Sequence, residues 1–286
     1  MDLEIVSGVR VARGTEALRA WVLSCRKDGK SIGFVPTMGA LHAGHLSLVA
    51  HSQAHTDVTV LSIFVNPLQF RPGEDLQAYP RPFARDCQLA AEAGVDVVFA
   101  PSAESMYPQG FQTHVEVENL TTGLCGAVRP GHFRGVTTVV CKLLNLVMAD
   151  VAVFGEKDWQ QLQAIARMAR DLDHPTRILG APIVREMNGL AMSSRNVYLS
   201  DQQRQAAGAI FASLQDAQLL AQKGETDVSV LEARVRSSIT AAGGRVDYAT
   251  ICHSESLLPL TQLLDPARII VAAYFGKARL LDNCAL

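Results

Sequence analysis

Strand-like and helix-like segments alternate along the first 183 residues of this chain, and that alternation limits the folds open to it. The strand candidates are rich in Val, Ile and Phe, which is typical of parallel strands buried on both faces. They are Ser31–Val35, Asp57–Val65, Val95–Phe99, Asp150–Phe154 and a segment near Thr176–Leu179. The helical segments among them are Thr15–Arg26, Leu46–Ala54, Phe83–Ala93, Gly135–Ala149 and Trp159–Leu172. The pattern predicts a doubly wound α/β domain with a parallel sheet, whose ligands bind at the carboxyl ends of the strands.

After residue 183 the alternation ends, and two predicted helices are followed by two predicted strands. A capping box at Ser200 and Gln203 indicates where the first of these helices begins. The elements are a helix to about Gln222, a helix over Asp227–Ala242, and the strands Val246–Cys252 and Arg268–Phe275. We therefore predict two domains, a doubly wound domain over residues 1–183 and a small α+β domain over residues 184–286.

A motif with two histidines follows the first strand candidate of the parallel sheet. It is Pro36-Thr37-Met38-Gly39-Ala40-Leu41-His42-Ala43-Gly44-His45, and the helix predicted from Leu46 begins directly after it. Helix N-termini present unpaired N–H groups and a partial positive charge, which favour phosphate oxygens. Imidazoles placed there donate hydrogen bonds to those oxygens and take up charge as a transition state becomes more negative. A polar helix cap and half of a metal site are the alternatives.

A second motif, Met192-Ser193-Ser194-Arg195, lies a domain's length further along the chain. The histidine motif resembles the HxGH motif of adenylate-forming and nucleotidyl-transferring α/β enzymes. The second motif resembles the KMSKS-type loop that accompanies HxGH in the same superfamily. It has no leading lysine, so Arg195 is its one strong cation. The order and separation of the two motifs favour nucleotide chemistry over a cap or a metal site.

Three further motifs lie near the predicted ends of strands or the starts of helices. They are Ser62–Phe70 with Asn66 and Gln69, Phe154–Leu162 with Lys157 and Asp158, and Arg129–Gly135 with His132 and Arg134. With the two motifs above, they resemble the pantoate–β-alanine ligases over essentially the whole chain. This resemblance implies a Rossmann-like first domain and the ATP-dependent joining of (R)-pantoate to β-alanine. It also implies a pantoyl-adenylate intermediate, with AMP and pyrophosphate released.

The resemblance also implies roles for individual residues. His45, His42 and Lys157 are expected to be catalytic, with His45 as the proton donor. Gln69 and Gln161 are expected to bind pantoate, and Gln69 is expected to face β-alanine as well. The expected ATP site comprises Met38, Gly39, Ala40, Leu41, His42, Ala43, Gly44, His45, Gly155, Glu156, Lys157, Asp158, Val184, Met192, Ser193, Ser194 and Arg195. The implied cofactor is Mg²⁺, held mainly by phosphate oxygens and water.

Some of these residues have a structural alternative. Asp158 is expected to accept a hydrogen bond from a ribose hydroxyl, but it is equally suited to capping the next helix. Only the resemblance favours Gln161 over its neighbour Gln160 as the pantoate ligand. Ala40 lies where many family members have Asn, which places a loop hydrogen bond in doubt. Lys157 has an ordinary surface lysine as its alternative, although its place between a strand and a helix favours function.

Other polar residues near the motifs are ambiguous. Arg134 and His132, at a predicted helix start, fit either an anion contact or a structural role. His51 and His55 share a helix face but have no obvious third ligand, so we interpret them as surface residues. Asp86 is a weakly supported candidate for a carboxylate that contacts Mg²⁺.

Composition narrows the range of partners. Lys and Arg total 26 against 28 Asp and Glu, which argues against a nucleic-acid surface and against a fragment of an aminoacyl-tRNA synthetase. The six cysteines are widely spaced and form no metal-binding pattern. The N-terminus has no apolar signal core, and no apolar run approaches the roughly 20 residues of a membrane span. We therefore expect a cytoplasmic protein with no membrane partner and small-molecule substrates.

The segment Thr113–Glu118 alternates with period two and predicts an extra strand outside the doubly wound pattern. Because an unpaired strand edge would be exposed, we expect this strand to pair across a homodimer. The rival function is a nucleotidyltransferase of the same superfamily that acts on a phosphate ester. It would share the histidine motif but would gain nothing from Gln69 and Gln161.

Overall fold

The computed structural model describes residues 3–286 and contains two sheets. The strands of the larger sheet are β1 (Glu4–Val6), β2 (Val9–Ala12), β3 (Ile32–Thr37), β4 (Val58–Ile63), β5 (Val97–Phe99), β6 (Val151–Gly155) and β7 (Arg177–Ala181). They lie in the order β1-β2-β5-β4-β3-β6-β7, and all pairs are parallel except β1 with β2. The order reverses between β3 and β6, which is the switch point where doubly wound sheets bind ligands.

Helices cover both faces of this sheet. They are α1 (Thr15–Lys27), α2 (Ala43–Gln53), α3 (Phe83–Glu92), α4 (Ala103–Met106), α5 (Cys125–Val128), α6 (His132–Val147) and α7 (Trp159–Asp171). Leu18 of α1, Leu144 of α6 and Ile165 of α7 belong to one buried apolar core. Leu48 of α2 and Cys87 of α3 belong to a second core on the other face. The doubly wound arrangement predicted from the sequence is confirmed.

The smaller sheet belongs to the C-terminal part of the chain. Its strands β8 (Arg245–His253), β9 (Ala267–Phe275) and β10 (Ala278–Ala285) are antiparallel in the order β10-β9-β8. The helices there are α8 (Asp201–Ala207), α9 (Ala209–Gln222) and α10 (Val228–Ala241). α9 and α10 share an apolar core with the sheet. This matches the predicted α+β class, and the division at residue 184 itself stays a prediction.

The helix predicted from the capping box at Ser200 is interrupted. Ser200 and Gln203 exchange the two predicted hydrogen bonds, but the helix divides at Gly208 into α8 and α9. A Cβ at Gly208 would lie 2.6 Å from the carbonyl oxygen of Asn188. The close approach of that carbonyl requires a residue without a side chain at the break. Within residues 3–286, no helix is long and apolar enough to cross a bilayer.

The strand predicted over Thr113–Glu118 is wrong for this chain. No strand is present there among the described residues, and the backbone instead bonds to side chains of α6. Val115 N donates to Thr138 Oγ1 at 3.0 Å, and Val115 O accepts from Thr137 Oγ1 at 2.6 Å. Two threonine hydroxyls therefore take the place of a neighbouring strand. Three real strands, β1, β2 and β10, were not predicted.

Candidate active site

A cavity of about 920 Å³ lies at the carboxyl ends of the central parallel strands, with the small sheet on its other side. Its volume is at the upper end of the range typical of small-molecule sites. Most of the predicted site residues line it: Met38, His42, Gly44, His45, Gln69, Gly155, Lys157, Asp158, Gln161, Val184, Met192, Ser193, Ser194 and Arg195. Gly39, Ala40, Leu41, Ala43 and Glu156 do not. The side chain of Glu156 instead packs against Gly180 on β7, where an added Cβ would lie 3.1 Å from Glu156 Cγ.

The two histidines of the first motif form a reciprocal cap at the start of α2. His42 is the N-cap residue, and its Nδ1 accepts a hydrogen bond from Gly44 N at 3.1 Å. His42 N donates in return to Nδ1 of His45 at 3.3 Å, and the two ring centroids are 4.0 Å apart. A neutral imidazole has one donor and one acceptor nitrogen. Because both Nδ1 atoms are acceptors here, both rings have their proton on Nε2, which is left to donate to a ligand.

Both imidazoles are uncharged at neutral pH. Burial and the Lys157 ammonium lower the pKa of His42 from 6.5 to about 4. Burial, His42 and Lys157 lower the pKa of His45 to about 3. These rings are therefore neutral hydrogen-bond donors rather than cations. The donor role implied for His45 is then that of a hydrogen-bond donor through its Nε2–H.

Asp86 shapes the loop that precedes this cap. Its two carboxylate oxygens accept from Ala40 N at 2.9 Å and from Leu41 N at 2.7 Å, and it is only 1% exposed. Burial raises the pKa of Asp86, although the two amides act in the opposite direction. Ala40 has a φ of +52°, a left-handed conformation that Asn adopts more easily than Ala. The expectation about Ala40 in place of Asn therefore concerns backbone strain at a left-handed residue. Both carboxylate oxygens of Asp86 are occupied by the amides of this loop.

Lys157 lies on a short 3₁₀ turn, Glu156–Asp158, between β6 and α7. Its Nζ is 3.6 Å from Oδ2 of Asp158. Asp158 occupies the N-cap position of α7, yet its side chain makes no capping hydrogen bond. The capping alternative for its side chain is therefore wrong, and the carboxylate is 43% exposed at the cavity.

The structure separates the two neighbouring glutamines of α7. Gln160 is buried, accepts from Cys125 N at 3.0 Å and donates to the carbonyl oxygens of Leu120 and Gly123, each at 2.9 Å. Its amide holds the loop before α5. Both residues line the cavity, but within residues 3–286 no such bonds hold the half-buried amide of Gln161, whose predicted role in pantoate binding stays a prediction.

Gln69 is held in place by a buried polar network. Its Oε1 accepts from Asn66 Nδ2 at 3.0 Å, and its Nε2 lies 3.1 Å from Met38 Sδ. Asn66 Nδ2 also donates to Gly135 O at 3.0 Å, and Asn66 Oδ1 accepts from Tyr107 Oη at 2.7 Å. The amide of Gln69 is thus fixed in orientation at the edge of the cavity.

Arg129, rather than Arg134, is the cation that the motif beginning at Arg129 brings to the cavity. Arg129 pairs with Glu74 through Nε at 2.8 Å and Nη2 at 2.5 Å, whereas Arg134 is exposed outside the cavity lining. His132 donates from Nδ1 to Gln69 O at 2.8 Å and accepts at Nε2 from Arg129 at 3.1 Å. Burial and the Arg129 charge lower its pKa to about 4. His132 therefore has the structural role that the sequence left open.

The serine-rich motif contacts a loop of the larger domain. Arg195 pairs with both oxygens of Asp75, at 3.2 Å through Nε and 3.1 Å through Nη2. Ser194 Oγ is 3.3 Å from the hydroxyl of Tyr79. Ser193 Oγ accepts from Arg195 N at 3.3 Å and so begins the short 3₁₀ helix of this loop. The loop is closed over the cavity by these contacts.

Two remaining predictions concern Val184 and the histidines of α2. Val184 O accepts from Met192 N at 2.9 Å, so Val184 lies in a tight hairpin beside the serine motif. His51 and His55 stack at 5.0 Å between ring centroids, with His55 Nδ1 bonded to His51 O at 2.8 Å. Neither ring lines the cavity, and among residues 3–286 no group of three metal-ligating side chains is present.

Every carboxylate that lines the cavity is paired with a cation. Glu74 pairs with Arg129, Asp75 with Arg195, Asp158 with Lys157, and Asp247 with Arg279 at 2.8 Å. Arg71 and Lys277 line the same cavity and give it an excess of positive charge. The arrangement suits a polyanionic ligand that takes over contacts from these carboxylates.

The contribution of the small sheet to the cavity could not be found from the sequence. Asp247, Lys277 and Arg279 lie on or beside β8 and β10 and line the cavity opposite the parallel strands. They belong to no motif, and Arg279 lies on a strand that was not predicted. Only the three-dimensional arrangement brings them to the site.

Comparison with known proteins identifies a family for the whole chain. The family model for pantoate-beta-alanine ligase matches residues 10–285. The pantothenate synthetase of Heliobacterium modesticaldum is 52% identical over 276 residues, which cover 96% of this chain and 98% of the relative. That of Oleidesulfovibrio alaskensis is 49% identical over 280 residues, 97% of this chain and 100% of the relative.

Solved structures give the same result. Pantothenate synthetase from Thermus thermophilus superposes with a TM-score of 0.91 at 47% identity, over 96% of this chain and 98% of the other. Pantoate-beta-alanine ligase from Francisella tularensis, complexed with beta-gamma ATP and beta-alanine, gives a TM-score of 0.80 at 36% identity. That match covers 96% of this chain and 97% of the other.

The buried neutral histidines predict a stability that falls in mild acid. His42, His45 and His132 have folded-state pKa values of about 4, 3 and 4, below the unfolded value of 6.5. Their contribution is complete above pH 6.5 and is lost as the pH falls toward the folded values, by about 1.4 kcal/mol per pH unit for each histidine at most. Urea unfolding between pH 7.5 and 5 measures this slope. His132→Gln should reduce it, and a stability independent of pH over that interval would contradict the assignment.

Proposed function

The chain belongs to the pantoate–β-alanine ligase family, and we propose that it condenses (R)-pantoate with β-alanine at the cavity between its two sheets, using ATP. The observation on which this proposal depends most is the cluster of His42, His45 and Lys157 opposite the Ser193–Arg195 loop. Two hydrogen-bond donors and an ammonium group converge there on one side of a cavity, with hydroxyls and a guanidinium on the other. This is the donor set that a triphosphate requires.

The proposed reaction has two steps, adenylate formation and amide formation. A carboxylate oxygen of pantoate attacks the α-phosphorus of ATP, and the bond to the bridging oxygen of pyrophosphate breaks. The amine of β-alanine then attacks the acyl carbon, AMP leaves with the former carboxylate oxygen, and the nitrogen loses a proton. Neither step needs a covalent bond to the protein. The tasks of the site are to hold the reactants in line and to stabilise charge on the phosphates.

The phosphate contacts are assigned to neutral donors and one compact charge. Nε2–H of His42 and of His45 would donate to phosphate oxygens, and the Lys157 ammonium would meet the charge that develops as pyrophosphate leaves. Asp158, 3.6 Å from Lys157 and without a capping bond, is suited to accept from a ribose hydroxyl. The hairpin backbone at Val184 is assigned to the adenine ring.

Pantoate is assigned to the two glutamines. Gln69 is fixed by Asn66, and Gln161 lines the same cavity from α7, so the two amides come from different elements. Neutral amides bind hydroxyl and carboxylate oxygens without forming an ion pair with the nucleophilic carboxylate. Gln69 is also assigned to the face from which β-alanine approaches.

Ser193, Ser194 and Arg195 are assigned to the β- and γ-phosphates. Arg195 pairs with Asp75, so phosphate binding would exchange one anionic partner for another. The donor set fits a metal that is bound through ATP, because each cavity carboxylate already has a cationic partner. Mg²⁺ would supply charge neutralisation on the phosphate oxygens.

We also propose a homodimer formed by the larger domain around Thr113–Glu118. This segment is mostly exposed, and its alternate residues face away from α6.

The six free cysteines are consistent with a reducing compartment, and we infer the cytoplasm. The rival nucleotidyltransferase reaction has no use for the two glutamine amides in this cavity, and we favour the ligase.

The first prediction concerns products. With ATP and pantoate the protein should release pyrophosphate and form an adenylate, and amide should appear only when β-alanine is added. ³¹P NMR of the mixture distinguishes the outcomes. Stoichiometric ADP and orthophosphate would contradict the adenylate route, and a dinucleotide product formed with a phosphate ester would favour the rival.

The second prediction separates the two half-reactions. Lys157→Ala and His45→Ala should each slow adenylate formation by about 10²–10³-fold, the usual effect of losing one preorganised donor. Gln69→Ala should weaken pantoate binding and slow the β-alanine step as well. Single-turnover measurements without β-alanine, and then from preformed adenylate, resolve these effects. Lys223→Ala, an exposed lysine on the small domain, is the matched control and should keep the parental rates. A Lys157→Ala variant that formed adenylate normally would refute the phosphate assignment.

The third prediction concerns assembly. Light scattering at micromolar concentration should give the mass of two chains. The substitution Glu116→Pro should yield monomers, because Glu116 is exposed and proline removes its N–H, which disfavours pairing along the segment. A parental protein with the mass of one chain would contradict the proposal.

A further inference from the structure

The turn that bears Lys157 is bonded to the last strand of the small domain. Short turns leave backbone carbonyls without partners inside the turn. Here Nδ2 of Asn283, on β10, donates to the carbonyl oxygens of Glu156 at 2.9 Å and Lys157 at 3.1 Å. One amide group thus spans the peptide that sets the direction of the Lys157 side chain.

The orientation of the Asn283 side chain is fixed by its surroundings. Its Oδ1 accepts from the Arg268 guanidinium, and its backbone N donates to Oδ1 of Asp282 at 2.8 Å. The residue is 2% exposed. With a cation on one side and two carbonyls on the other, only one placement of oxygen and nitrogen satisfies the group.

Arg268 ties the same contact to the start of α7. Its guanidinium lies 3.5 Å from the ring centroid of Trp159, the residue that follows the turn. Trp159 Nε1 donates to Ser254 O at 2.7 Å on the small domain. Bonds from β9, β10 and the loop after β8 therefore converge on the turn and on α7. Asn283 lies outside every motif, so the sequence alone does not indicate its contact with the turn.

We propose that Asn283 is a positioning residue for Lys157, so that the small domain determines where the lysine ammonium lies relative to the phosphates. The inference rests on the proposed role of Lys157 in adenylate formation. Asparagine is the residue type that fits, because both Nδ2 hydrogens and Oδ1 are used. Aspartate would direct an oxygen at two carbonyls, and leucine would leave both carbonyls and Arg268 without a partner.

The test is a double-mutant cycle on single-turnover adenylate formation. Asn283→Asp keeps the shape and the acceptor for Arg268 but removes the two donors. It should slow adenylate formation at least tenfold and up to about 100-fold, the effect of a displacement near 1 Å. In a Lys157→Ala background the same substitution should change the rate less than twofold, because there is no ammonium left to position. Asn283→Leu removes the donors without adding charge and should give the same pattern.

Gln218→Glu is the matched control. Gln218 is also on the small domain, on α9, and donates Nε2 to a backbone carbonyl of β10, that of Ala285, at 3.0 Å. It makes no contact with the Lys157 turn, so its variant should keep the parental rate. Thermal melting and gel filtration establish that each variant is folded.

The outcomes distinguish the inference from the function on which it rests. If Lys157→Ala forms adenylate at the parental rate, the proposed role of Lys157 fails. If Lys157→Ala is slow but Asn283→Asp and Asn283→Leu are not, only the positioning role fails. If the Asn283 variants slow the reaction by equal factors with and without Lys157, their effect is a general loss of structure and the inference is overturned.

Discussion

Two imidazole nitrogens begin helix α2, at a position where a serine or aspartate oxygen is the usual cap. Since Nδ1 of His42 and of His45 each accept a backbone proton, the same bonds that begin the helix fix the tautomer of both rings. The remaining N–H of each ring is then available to the cavity, beside a helix terminus that already favours anions. Protonation of either Nδ1 would remove its hydrogen bond to the backbone, so the cap at the start of α2 requires both rings to be neutral.

The placement of Gln69 depends on a close approach between backbones. A Cβ at Gly135 would lie 2.3 Å from Leu68 O, so α6 packs directly on the turn before Gln69. Two hydrogen bonds join the turn to the helix. Asn66, at the start of the turn, donates to Gly135 O of α6, and His132 of α6 donates to Gln69 O. The Gln69 side of the cavity is thus built on direct helix–turn packing, whereas the Ser193–Arg195 side is held by side-chain contacts between loops.

The sequence was sufficient for the parallel sheet and for most of the residues at its edge, because long apolar strands and helix-start motifs are local signals. It was also sufficient to predict that Lys157 lies at the cavity, because a strand precedes this residue and a helix follows it. It could not decide between Gln160 and Gln161, since adjacent helical residues differ only in what lies opposite them. The sequence does not distinguish Arg129 from Arg134, because both are arginines near a helix start. Asp247 and Arg279 reach the cavity, and Asn283 reaches the Lys157 turn, through pairing of β8, β9 and β10, which depends on contacts distant in sequence. The same limit applies to Thr113–Glu118, where alternation predicts a strand and the actual partners are two threonines of α6.

The four ion pairs of the cavity bear on which anions the protein retains in a cell that contains many phosphates. A small anion such as orthophosphate carries less charge than a triphosphate, and it must compete with the carboxylates of Asp75 and Asp158, which are already held beside their cations at high local concentration. With the proposed assignment, a nucleoside triphosphate would replace several of these partners together and would add contacts along the hairpin at Val184. The paired carboxylates would then favour ligands of high charge and large size over small anions.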